Sequence, residues 1–259
     1  MENEDKQMQS TLQGRDGQNF YRKTAIAIGA IYLAGIPLGI GGNILLQSIL
    51  GATDPLASVA ANSGLVAIGA LLWVLSGPVA DAAHGILMFP IMKRYGERLA
   101  YGYFGARIMD AVFVGVMALL ILFQLPLASE YVKAGASDTS YLQGLSSVFW
   151  QAQLYAYHFG MLTVGVAGVM LNYVLYRAQL LPRALSVWGL VGYAVILVGS
   201  VLEVMGFNLM LIHSLPGGLW EILIGGVWLI AKGFSSSPAR SEETTPGIVP
   251  SPAVSSATA

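Results

Sequence analysis

Seven ionisable residues sit inside otherwise apolar stretches of the sequence: Asp81, His84, Arg107, Asp110, His158, Glu203 and Glu221. Their types suit ion pairing, proton binding or, for a histidine beside carboxylates, metal ligation. Spacing sorts them into two groups. Asp81 and His84 precede a turn centred near Tyr95 and Gly96, and Arg107 and Asp110 follow it. Asp81 and Asp110 are equally far from that centre, as are His84 and Arg107. An antiparallel hairpin therefore places the four within one helical turn of depth, and the i,i+3 spacing keeps each pair on one face. Arg107 then stands among two aspartates, and a planar guanidinium can hold one carboxylate bidentately while donating to another group. Such a cluster serves either as an interhelical clamp or as a proton or ligand site.

The second group follows the same logic. Glu203 and Glu221 are equally far from a turn expected near Ile212, and His158 enters from the same side. Two carboxyls close together in lipid resist double ionisation. One histidine and two glutamates also have the composition of a metal site, but one-histidine sets make poor zinc sites, and the leading reading includes no metal and no cofactor.

The surroundings of these residues set the class of the protein. Of 259 residues, 55% are hydrophobic and 10% charged, with a mean hydropathy of +0.65. Soluble domains average about 25% charged residues, so this chain could not cover its surface in water. The net charge of −1 gives no case for nucleic acid as a partner, and the absence of cysteine excludes disulfides and thiolate chemistry. Six apolar runs, at about 25–47, 64–91, 99–124, 147–176, 184–207 and 215–233, each approach or exceed the roughly 20 residues a spanning helix needs. The fold class expected is all-α, an integral membrane bundle of six transmembrane helices.

Lys and Arg are concentrated at alternate ends. Arg22 and Lys23 precede the first run, Lys93, Arg94 and Arg98 separate the second and third, Arg177 and Arg183 the fourth and fifth, and Lys232 closes the sixth. The other connections hold one base, Lys133, with Asp54, Glu130 and Asp138. Retention of positive charge on the cytoplasmic side predicts both termini inside, in the plasma (inner) membrane. Residues 1–20 and the Ser/Pro/Thr-rich 235–259 are expected to be disordered cytoplasmic tails around a 21–234 membrane domain. The longest external connection, about 125–146, includes "GASDTSYLQG", and His213 is expected in a solvated loop.

"YRKTAIAIGAIYLAGI", "RLAYGYFGARIMDAV", "LLPRALSVWGLVGY" and "EILIGGVWLIAKGF" together resemble, in order and spacing, the bacterial membrane family known as domain of unknown function 4386 (DUF4386). The similarity runs from about 21 to 234. It implies a six-helix integral membrane protein and supplies no activity. The family pattern usually reads Arg-x-x-Glu in the third helix; here the pair is Arg107 and Asp110, with a shorter acid.

The leading functional expectation is a non-enzymatic membrane protein that binds or moves a small molecule or proton through buried polar clusters, with the lipid bilayer as its surroundings. One alternative is an intramembrane hydrolase, with or without a metal, using His84, His158 and Asp81 or His158 with the glutamates. Another is a structural or regulatory subunit of a membrane complex.

Overall fold

The computed structural model describes the backbone of residues 2–135 and 139–235, and the side chains of 17–135, 139–209, 212 and 214–235. All of the expected tail 235–259 beyond Ser235, the loop residues 136–138 and the His213 side chain lie outside the described residues, as do the side chains of 1–16.

No strand occurs among the described residues. Helix α1 is Glu2–Leu50, α2 is Pro55–Ala61, and α3 is Ser63–Val74. A π-helical stretch, Leu75–Val79, joins α3 to α4, Ala80–Lys93. Then come α5 (Glu97–Leu122), α6 (Gln124–Ala134), α7 (Ser140–Arg177), α8 (Arg183–Val204) and α9 (Met210–Trp220). A second π-helical stretch, Glu221–Trp228, leads into α10, Leu229–Ala231.

Six segments are long and apolar enough to cross a membrane: Gly17–Leu50, Ser63–Lys93, Glu97–Ala134, Ser140–Arg177, Arg183–Val204 and Ser214–Ala231. They overlap the six runs expected from sequence, and the chain is a multi-pass membrane protein. The outward surface is that of a lipid-facing bundle. Ile44, Leu71, Ile86 and Val198 are each more than half exposed. A soluble monomer rarely shows contiguous apolar patches beyond a few hundred Å².

Local chemistry explains the breaks. Pro78 lies in the first π stretch, where its missing N–H interrupts the ladder of α-helical hydrogen bonds and favours the wider turn. Asp54 caps α2 by accepting from the Ala57 amide at 3.1 Å, and Pro55 takes the first helical position, where no N–H is needed. The α4–α5 turn is short, Arg94 to Gly96, so these helices run as close antiparallel neighbours.

Both ends of the bundle sequence meet on one face, where Arg22 Nη1 donates to the Leu229 carbonyl at 3.3 Å. We call this the terminal face and the other the distal face. Two apolar clusters fill the interior. The terminal one centres on Ile28, Met88, Ile91, Leu175 and Leu181; the distal one centres on Leu46, Val59, Val66, Met117 and Ile121. The polar residues lie on segments linking these clusters.

Candidate functional site

Asp81 sits two residues beyond the first π stretch and faces Arg107 on α5. Arg107 Nη1 lies 2.9 Å from Asp81 Oδ1 and 3.6 Å from Asp110 Oδ2. The guanidinium has further partners: Nη2 donates to the Tyr32 hydroxyl at 3.3 Å, and Nε donates to the Tyr103 hydroxyl at 3.4 Å. Arg107 is 2% exposed and Asp110 1%, so water does not supply their solvation. Asp81 and Asp110 thus flank the same guanidinium nitrogen.

The structure thus brings together Asp81, Arg107 and Asp110. His84 takes a different place in the same region. Its ring stacks on Tyr32, with centroids 4.2 Å apart, and lines a small cavity of about 10 Å³ with Met88 and Trp220. Neither ring nitrogen meets a partner at hydrogen-bonding geometry, although the Ile28 backbone is close.

The second group is divided. Glu203 lies beside His158, with Oε2 3.3 Å from Nε2, and its other oxygen accepts from the Leu209 amide at 2.6 Å. Glu221 does not share that place. Its Oε1 accepts from the Tyr193 hydroxyl at 2.8 Å, and Tyr193 lies within electrostatic range of Tyr32 and Arg107. Glu221 therefore joins the Arg107 network. The reason is the position of the turn. It runs between Val204 and Met210, not around Ile212, so Glu203 occupies the last turn of α8. Glu221 follows the whole of α9, about 15 Å deeper at 1.5 Å per residue. Among the described residues, no group of three His, Asp or Glu side chains converges as metal ligands.

Three tyrosines complete the site and were not singled out by sequence. Tyr103 carried a detectable signal, being four residues before Arg107 on the same helical face. Tyr32 and Tyr193 carried none, because a tyrosine in an apolar run reads as ordinary packing. Glycines make room for both rings. A Cβ at Gly168 would occupy the Tyr193 ring, and one at Gly225 would come 2.7 Å from the Tyr32 ring. Tyr157 lies between the two groupings, within electrostatic range of Asp110, Glu203 and Glu221, and its ring packs edge-on against His158 at 5.6 Å.

The family model described as "Domain of unknown function (DUF4386)" matches residues 27–233. The chain belongs to this family. No curated protein and no solved structure matches it. The matched DUF4386 region contains every member of both polar groupings, from Tyr32 to Glu221. It also holds both π-helical stretches. Such stretches recur at functional positions, because the wider turn re-aims the side chains that follow it. Here one immediately precedes the α4 turn bearing Asp81, and the other begins at Glu221 itself.

Proposed function

We propose that the chain is a non-enzymatic membrane protein that binds and moves protons through its buried polar groups. One observation carries this reading. Two carboxyls, Asp81 and Asp110, flank the Arg107 guanidinium, and a third, Glu221, lies within its electrostatic range on the Tyr193 hydroxyl. Were all ionised, the network would hold two surplus negative charges. Two like charges about 5 Å apart repel by roughly 3 kcal/mol even at an effective dielectric constant of 20. Protons remove the surplus at lowest cost.

The arrangement also supports movement. Polar side chains follow one another from Glu203 and His158 at the distal end, past Tyr157, to Asp110, Asp81 and Arg107, then through Tyr32 and Tyr193 to Glu221. Ionisable groups at membrane depth add about 2.5–3.5 kcal/mol each to insertion, so a string of them implies a use beyond packing. In this reading the terminal face is cytoplasmic, as the bases at Arg22, Lys93, Arg94, Arg177 and Arg183 support.

Infrared difference spectra of the purified protein, taken across neutral pH, test the proposal. A protonated-carboxyl band should appear and change with pH. Asp110→Asn and Glu221→Gln should each remove part of it. A spectrum without any such band, or one unaltered by both variants, would reject the proposal.

A further inference from the structure

The distal face carries a cavity of about 330 Å³ that the proton network does not use. It lies where the α1–α2 connection meets the start of α6 and the first turns of α7. Its size falls at the lower end of the range for small-molecule sites, roughly 300–1,000 Å³. Leu50, Pro55 and Leu56 form an apolar wall, and Trp150 offers an indole. Gln143 and Ser147 add polar groups at the mouth.

The base of the cavity is built, not merely vacant space between helices. Gln124 is 1% exposed and exchanges two hydrogen bonds with Ser146: its Nε2 donates to the Ser146 carbonyl at 3.0 Å, and the Ser146 hydroxyl donates to Oε1 at 2.7 Å. This pair ties α6 to α7 and closes the deep end.

Asp54 is the charged residue in the lining. Its two carboxylate oxygens are both held, one by the Ala57 amide at 3.1 Å and the other by the Tyr131 hydroxyl at 2.7 Å. Gln143 Nε2 in turn approaches the Tyr131 hydroxyl at 3.5 Å. Both donors to Asp54 are neutral. They fix its direction and bring no positive charge to it. Each carboxylate oxygen keeps a further lone pair. The neighbouring base, Lys133, is bound to Glu130 at 2.7 Å. A carboxylate fixed by neutral donors and an indole lining one small cavity are the chemistry of organic-cation recognition, in which charge attraction and an aromatic ring act together.

We propose that this distal cavity binds a small organic ammonium group, with Asp54 as counter-ion and Trp150 as aromatic wall. The group could be carried by a free amine or by a lipid headgroup; the chemistry at Asp54 is the same. The site is separate from the Arg107 network, so its test stands apart from the proton reading.

The experiment uses the full chain in a non-ionic sugar detergent that carries no ammonium. Calorimetric titration with choline tests the free cation, and native mass spectrometry after adding phosphatidylethanolamine tests the headgroup. Asp54→Asn is the decisive variant, because asparagine caps a helix about as well as aspartate and leaves α2 intact. Trp150→Leu is the second variant, with thermal unfolding as the check on both. Saturable choline binding weakened about tenfold or more by either variant supports a free-cation site. Retention of phosphatidylethanolamine by the parent and its loss in Asp54→Asn supports the headgroup source. Failure of both probes to bind the parent, or binding unchanged in a stably folded Asp54→Asn, overturns the proposal.

Discussion

Replacing Arg107 with methionine removes the guanidinium from a buried group of acids while keeping an unbranched side chain. In the parent, Arg107 holds Asp81 at 2.9 Å and lies 3.6 Å from Asp110, and it donates to Tyr32 and Tyr103. Removing one partner of a buried pair typically costs about 3–5 kcal/mol, because a charge is left unsolvated. A stranded carboxylate has an escape, which is to take up a proton. With an ordinary carboxyl value near 3.9, that costs about 4 kcal/mol at pH 7, close to the same range, so neither route is cheap. The routes differ in pH dependence. Proton uptake becomes easier by about 1.4 kcal/mol for each unit the pH falls. Arg107→Met should therefore be destabilised by about 3–4 kcal/mol at pH 7 and regain up to about 3 kcal/mol near pH 5. The sign is fixed: the folded variant binds more protons than its unfolded chain, so acid favours folding. Reversible unfolding in mixed micelles at several pH values measures this. Asp81→Asn in the same background should recover part of the loss at pH 7 and flatten the pH dependence. If the single and double variants match the parent, or the loss is independent of pH, the charge argument is refuted.

Gly168→Ala should be harmful out of proportion to one methyl group, because that methyl would fall on the Tyr193 ring; overpacking of about 1–3 kcal/mol is expected in thermal unfolding, with the Glu221 contribution to the carboxyl band altered as well. Glu203→Ala removes the acceptor for the Leu209 amide and the partner of His158, so proteolysis within 205–209 should accelerate, whereas Glu203→Gln should keep the cap. Reporter fusions after residues 96, 136, 180 and 212 should alternate between cytoplasmic and external; two successive fusions on one side would contradict the proposed orientation.

The contrast between the two hairpins shows what a sequence can reveal about a buried site. Asp81, Arg107 and Asp110 were legible because the α4–α5 turn is tight and centred where the charged residues suggested. The π stretch at Leu75–Val79 lies beyond Asp81 as seen from that turn, so counting residues back from the turn crosses only α-helix. Glu203 and Glu221 misled because the α8–α9 connection lies several residues earlier than Ile212. The apolar pattern does not mark that point, since Met205, Phe207 and Leu209 are as hydrophobic as the helices they join. His84 was placed at the right level, but its ring turned to Tyr32 instead of Arg107. Tyr32 itself comes from α1, far away in sequence, and only the packing of α1 beside α4 brings it to the guanidinium.

The π-helical stretches also decide how the gene can change length. Within an α-helix, deleting one codon swings everything beyond it by about 100° and moves a lipid-facing side chain inward. A π stretch already holds residues in excess of the α-helical repeat. Deleting one between Leu75 and Val79 would let the segment relax to α-helix, with the phase change confined to how α3 meets α4. The same holds within Glu221–Trp228, where the shift would fall between Glu221 and the contacts of α10 with α1. These two places are where single-codon indels can be absorbed without scrambling both ends of a span, and where such an event would re-aim an acid instead of unfolding the bundle.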